Sequence, residues 1–119
     1  MVAARPSLDI LLVEDQASIR ALVTGFLSGE GHRVRIAEPN TPLPHAQILL
    51  ADWLVPGFDM RAAIAQFLES SPGSRCVIMS GLDVPLDVFA PELRQRISYL
   101  PKPFSPAMLL RALLGDAAG

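Results

Sequence analysis

The chain has 119 residues, half of them hydrophobic and 18% charged, and carries a net charge of −2. That is enough for one domain with one core, expected to span residues 1–119, and the absence of a basic block excludes a large nucleic-acid surface. Its single cysteine, Cys76, excludes an intramolecular disulfide, and no stretch matches a secretory signal core or the ~18 apolar residues of a membrane helix, so a cytoplasmic location and no membrane partner are expected.

In chain order, Leu8 to Val13 reads as a buried strand. Gln16 to Ser28 is a predicted helix, with Ile19, Leu22, Val23, Phe26 and Leu27 at helical spacing and Gly29 and Gly31 to end it. Arg33 to Ala37 is a second strand and Ala46 to Ala51 a third, with Asp52 at its end. Between them Glu38 to His45 holds three prolines, which leaves room for an extended crossover or a single turn rather than a helix. Met60 to Ser70 is a helix burying Ala63, Ile64, Phe67 and Leu68, followed by a Ser71-Pro72-Gly73 turn and a fourth strand, Arg75 to Met79, in which Cys76 is a buried, inert thiol. Leu86 to Gln95 is a weak helix broken near Pro91, with Arg94 and Arg96 at its solvated end. Ile97 to Leu100 is the fifth strand, and Ser105-Pro106 starts a last helix that runs through Leu114 and stops at Gly115. The alternation predicts an α/β protein, a parallel sheet wrapped by helices through right-handed crossovers.

Open α/β sheets carry their chemistry beyond the carboxyl ends of the strands. There this sequence places Glu14-Asp15 after strand one, Asp52 after strand three, Ser80-Gly81 after strand four and Pro101-Lys102-Pro103 after strand five. Taken singly, each has a structural explanation: Asp15 as a helix cap, Asp52 as a turn acid before Pro56-Gly57, Ser80 as a turn residue, Lys102 as a solvated charge. Together, three carboxylates, a hydroxyl and an ammonium converge in the order one chemistry requires. Clustered carboxylates raise one another's pKa or bind a cation, and Mg²⁺, with its demand for hard oxygen ligands, fits. Asp15 and Asp52 are the expected direct ligands, with Glu14 acting through a water and a backbone carbonyl just after Asp52. Asp52 is then a nucleophile toward a phosphoryl group, Lys102 a second positive charge and Ser80 a hydrogen-bond donor to a phosphoryl oxygen.

The segments ILLVEDQASIR, LLADWLVPGFDM, VIMSG and YLPKPFSP, in that order, resemble the receiver domains of bacterial response regulators and hybrid histidine kinases. The resemblance covers nearly the whole chain and is closest in style to receivers of hybrid kinases. It implies a flavodoxin-like, doubly wound five-stranded parallel sheet in the order 2-1-3-4-5, here with the second helix shortened or absent. It implies Asp52 as the phosphoacceptor, Lys102 and Ser80 in its chemistry, and Glu14, Asp15, Asp52 and the Leu54 backbone carbonyl around Mg²⁺. Ser80 and Tyr99 become a switch pair through which phosphorylation biases a two-state equilibrium and alters a partner surface. It also implies a cis Lys102-Pro103 bond. Leu54 and Leu82 take the positions flanking the line of water attack, where apolar side chains predict slow autodephosphorylation. The implied partners are a histidine kinase or a histidine phosphotransfer protein and a downstream protein, with no nucleic acid. The chain is thus not an enzyme beyond its own phosphotransfer and slow dephosphorylation, and its output is expected to be binding.

The alternative is a phosphorylation-independent pseudo-receiver acting as a protein-binding module, which the altered second and fourth helix positions favour. A phosphohydrolase using Asp52 as nucleophile would want a second acid where Leu54 stands. A flavin or nucleotide binder of this fold would want a glycine-rich loop where Glu14-Asp15 would repel phosphate. Neither His32 nor His45 has partners in the sequence for a phosphohistidine or metal role.

Overall fold

A computed structural model describes residues 7–38 and 40–115. Five strands, β1 (Asp9–Val13), β2 (Arg33–Ile36), β3 (Ile48–Asp52), β4 (Arg75–Ser80) and β5 (Ile97–Pro101), form one sheet in the order β2-β1-β3-β4-β5, every pair parallel. The inner strands read as unbroken apolar runs because successive side chains enter different cores. Ile10, Leu12, Ile48, Leu50, Val77 and Met79 join one buried cluster with Val23 and Leu27 of α1 (Ala17–Gly29) and Leu109 and Leu113 of α4 (Pro106–Leu114). Leu11, Val13, Leu49, Ala51, Cys76 and Ile78 join the other, with Ile64, Phe67 and Leu68 of α2 (Met60–Ser70). Cys76 is fully buried, and that burial pushes its thiol pKa well up, as an inert core residue requires.

The helix ends follow local chemistry. Asp59 accepts from the Ala62 N–H at 3.2 Å and caps α2, and Ser105 accepts from the Met108 N–H at 3.1 Å and caps α4. Gly115 ends α4 at φ 81°, a left-handed conformation that costs glycine least. Helix α1 runs through Gly29 rather than stopping before it; the left-handed residue is Gly31, at φ 92°. Leu22 lies on the outer side of α1 and is 73% exposed, although its spacing groups it with the core residues. In α2, Met60 is buried and Ala63 only half-buried.

Two connections depart from a regular alternation. Between β2 and β3 the described residues form no helix; there is a turn at Asn40, and the Thr41 hydroxyl donates to the Glu38 carbonyl at 2.7 Å. After β4, the predicted weak helix is replaced by a 3-10 turn, Leu86–Val88, and a single helical turn, α3 (Pro91–Arg94). Pro91 has no N–H to donate and its ring would clash with the Asp87 carbonyl, so the segment breaks and restarts with Pro91 in its first turn. Phe89, between the two pieces, is buried in the core.

Candidate functional site

Parallel pairing carries the strand ends to one edge of the sheet. Val13 is level with Ala51, Asp52 with Met79, and Ser80 with Pro101. Glu14 and Asp15 therefore leave β1 beside Asp52, and Lys102 leaves β5 beside Ser80. The Lys102 N–H donates to the Ser80 carbonyl at 2.9 Å, and the Lys102-Pro103 bond is cis. The Lys102 ammonium lies 2.7 Å from Asp52 Oδ2 and 3.4 Å from Glu14 Oε1. These contacts join residues 50 and 88 positions apart.

The charges are unevenly accommodated. The Glu14 side chain is wholly buried. Burial, reinforced by the facing Asp52 carboxylate, raises its pKa to about 7 against the pull of Lys102. Burial would raise Asp52 as well, but hydrogen bonding with Glu14 and Lys102, the Leu54 N–H at 3.3 Å and the Lys102 charge outweigh it and hold Asp52 below its ordinary value. Lys102 is raised: burial disfavours its charge, and the two carboxylates favour it more.

Carboxylate oxygens of Glu14, Asp15 and Asp52 lie within 4.8 Å of one another. Glu14 Oε2 is buried and accepts no hydrogen bond. When both carboxylates are ionised neither can donate to the other, so this oxygen calls for a proton or a cation between them. A set of hard oxygen donors with an orphaned buried oxygen fits Mg²⁺. The chain's own groups can also hold a nucleophilic carboxylate ionised beside a fixed ammonium.

Around the acids, Ser80 is buried and its Oγ accepts from the Leu82 N–H at 3.0 Å. The Tyr99 hydroxyl is within donating distance of the Ser80 carbonyl, 3.1 Å, and the Leu82 carbonyl, 3.0 Å. Tyr99 thus touches the segment that carries Ser80. Leu54 and Leu82 are both 64% exposed. The Trp53 ring meets Phe89 edge-on, centroids 6.2 Å apart, linking the residue after Asp52 to the broken segment after β4.

His32 has a structural partner: its Nδ1 accepts from the Leu8 N–H at 3.1 Å. Arg96 is not solvated as expected. Its guanidinium donates to the carbonyls of Leu68, Ser71 and Ser74 and to the Ser74 hydroxyl. Nothing in the sequence pattern marks Arg20, whose Nη1 donates to the Glu14 carbonyl at 3.0 Å. Among the described residues no helix is long and apolar enough to cross a membrane.

No protein-family model matches the chain. It is 30% identical over 112 residues to the transcriptional regulatory protein CssR of Bacillus subtilis, a match covering 87% of this chain and 48% of CssR, so it spans about half the length of that relative. A CheY-like response regulator receiver domain protein from Methanospirillum hungatei superposes with a TM-score of 0.77 at 22% identity, covering 92% of each chain. NtrX from Brucella abortus superposes with a TM-score of 0.72 at 27% identity, over 92% of this chain and 27% of NtrX.

Proposed function

We propose that this chain, whose fold is that of the receiver domains of response regulators, is a phosphoacceptor in two-component phosphorelay signalling. The observation that carries the reading is the Lys102 ammonium 2.7 Å from Asp52, beside a buried Glu14 with an orphaned oxygen. A purely structural turn acid would not require a second acid to be buried against it.

An Asp52 carboxylate oxygen attacks the phosphorus of a phosphohistidine. A P–O bond forms, the P–N bond breaks, and its electron pair stays on the departing imidazole nitrogen, which takes up a proton. Asp52 is suited to this because its pKa is held down and it stays ionised. Lys102 is placed to follow the charge from the carboxylate to the phosphoryl oxygens. Glu14, Asp15, Asp52 and the Leu54 backbone carbonyl would hold Mg²⁺, which when bound neutralises charge on the phosphoryl group. Ser80 gives up its bond from the Leu82 N–H to approach the phosphoryl group. Tyr99, hydrogen-bonded to the same segment, moves with it. The donor is a histidine kinase or a histidine phosphotransfer protein, and the output is an altered surface for a protein partner.

Loss of a regular helix after β4 and between β2 and β3 favours a second reading, a pseudo-receiver that binds its partner unphosphorylated. One titration separates the two. Trp53, the single tryptophan, follows Asp52 directly and reports on the site. Mg²⁺ and then beryllofluoride, a phosphoryl mimic, are expected to change its fluorescence in two saturable steps, the second lost in Asp52→Asn. Folded protein silent to both would establish the pseudo-receiver.

A further inference from the structure

We propose that Arg20 is a positioning residue for the corner that presents Glu14 and Asp15, an inference that rests on reading those two acids as metal ligands. The corner leaves β1 after Val13 and enters α1 at Ala17. A helix start normally draws order from a side-chain cap or a first-turn acid. Helices α2 and α4 have caps, from Asp59 and Ser105. Helix α1 has neither: Gln16 makes no side-chain bond at the cap position and the first turn holds no acid. The corner is tied instead by the Arg20 side chain, from one turn inside the helix. The Arg20 backbone N–H makes the ordinary first bond of the helix, to the Gln16 carbonyl at 2.9 Å, and the guanidinium adds a bond to the Glu14 carbonyl at 3.0 Å. The two bonds bracket Asp15. They fix the backbone that aims one buried and one exposed carboxylate at the same point.

Mg²⁺ tolerates little departure from octahedral geometry, so ligands held by a rigid backbone bind it better than ligands on a loose one. Charge alone predicts the reverse, because removing a cation near the acids would strengthen their hold on Mg²⁺. The sign of the effect therefore distinguishes positioning from electrostatics.

The test is a titration of the full chain with Mg²⁺ alone, read by Trp53 fluorescence, with a thermal melt of each variant. Arg20→Met keeps the packing of the stem and removes the donors. Arg20→Gln keeps a polar side chain too short to span the corner. Both are expected to bind Mg²⁺ about tenfold more weakly, a typical loss for a residue supporting a metal ligand, with a melting temperature near that of the wild type. Arg20→Lys, which restores a donor and the charge, is expected to recover part of the affinity. Unchanged or tighter binding in whichever of the Met and Gln variants folds overturns the proposal. So does a loss of affinity that only tracks a fall in melting temperature. A wild-type protein silent to Mg²⁺ overturns the metal-binding reading itself, and the role of Arg20 with it.

Discussion

Glu14 is where the chain's local preferences and the needs of the site conflict most. Its carboxyl is wholly buried, faces Asp52, and has a pKa near 7. A carboxylic acid whose folded-state pKa lies above its unfolded value favours folding when protonated. That contribution is complete below the ordinary value of 4.5 and is lost as pH rises through about 7. The lowered pKa of Asp52 acts in a separate window, below its ordinary value of 3.8, and leaves this one to Glu14. Metal-free protein in a chelator is therefore expected to melt at a lower temperature at pH 8 than at pH 5. Glu14→Gln should flatten that slope, and equal slopes in the two proteins would show that Glu14 is not the group responsible. The exposed leucines carry a second prediction. Neither Leu54 nor Leu82 can orient a water toward an acyl phosphate, so the phosphorylated protein should decay slowly. Leu54→Asn is expected to shorten its half-life several-fold, measured by loss of phosphoryl label; an unchanged half-life would leave Leu54 as a rim residue only.

At the scale of elements, the difference between the uncapped α1 and the capped α4 is testable directly. Ser105→Ala removes the bond to the Met108 N–H and should cost about 1 kcal/mol in chemical denaturation. Gln16→Ser supplies α1 with the cap it lacks and should gain a similar amount, about 1 kcal/mol at most; no gain would mean that a hydroxyl at this position does not reach the first-turn N–H groups. The same elements show what the sequence makes legible. Each inner strand is buried on both faces, so its residues are apolar without interruption, and the chain writes out Ile10 to Val13 and Ile48 to Ala51 plainly. The candidate site is legible for a related reason: its acids and hydroxyl each stand at the end of such a run, whereas Lys102 follows the half-exposed edge strand β5 and is marked only by its flanking prolines. The cap at Ser105 is legible because it is local and depends on neighbours a few residues away; the one at Asp59 is equally local, and only the structure identifies it. Leu22 misleads because helical spacing gives a face but not its width. Arg20 and Arg96 escape notice because their acceptors are backbone carbonyls, which every residue has, and only the fold decides which are near.

Across the whole molecule, the two ends of the sheet differ in what they gather. The carboxyl edge brings Glu14, Asp15 and Asp52 together and sets one lysine against Glu14 and Asp52, an arrangement that suits the proposed chemistry and buries Glu14 at a cost. The opposite end is tied down. There Arg96 joins the end of α2 and the turn before β4 to the start of β5, Arg75 reaches the Leu113 carbonyl at the end of α4, and Arg35 pairs with Asp9 at 3.0 Å across β1 and β2. If stability resides at one end and function at the other, substitutions at the two ends should not interact. Arg96→Met leaves three carbonyls and a hydroxyl without their charged donor. It is expected to cost about 2 kcal/mol, as for the loss of hydrogen bonds to a charged group, with the Mg²⁺ response of Trp53 unchanged. Glu14→Gln should do the opposite at neutral pH, weakening the Mg²⁺ response without a loss of stability. In the double variant the two stability changes should add to within about 0.5 kcal/mol, the behaviour of distant sites without shared partners. A larger coupling in a thermodynamic cycle would mean that β4 and β5 transmit strain along their length, and that the clamp at one end also sets the geometry of the acids at the other.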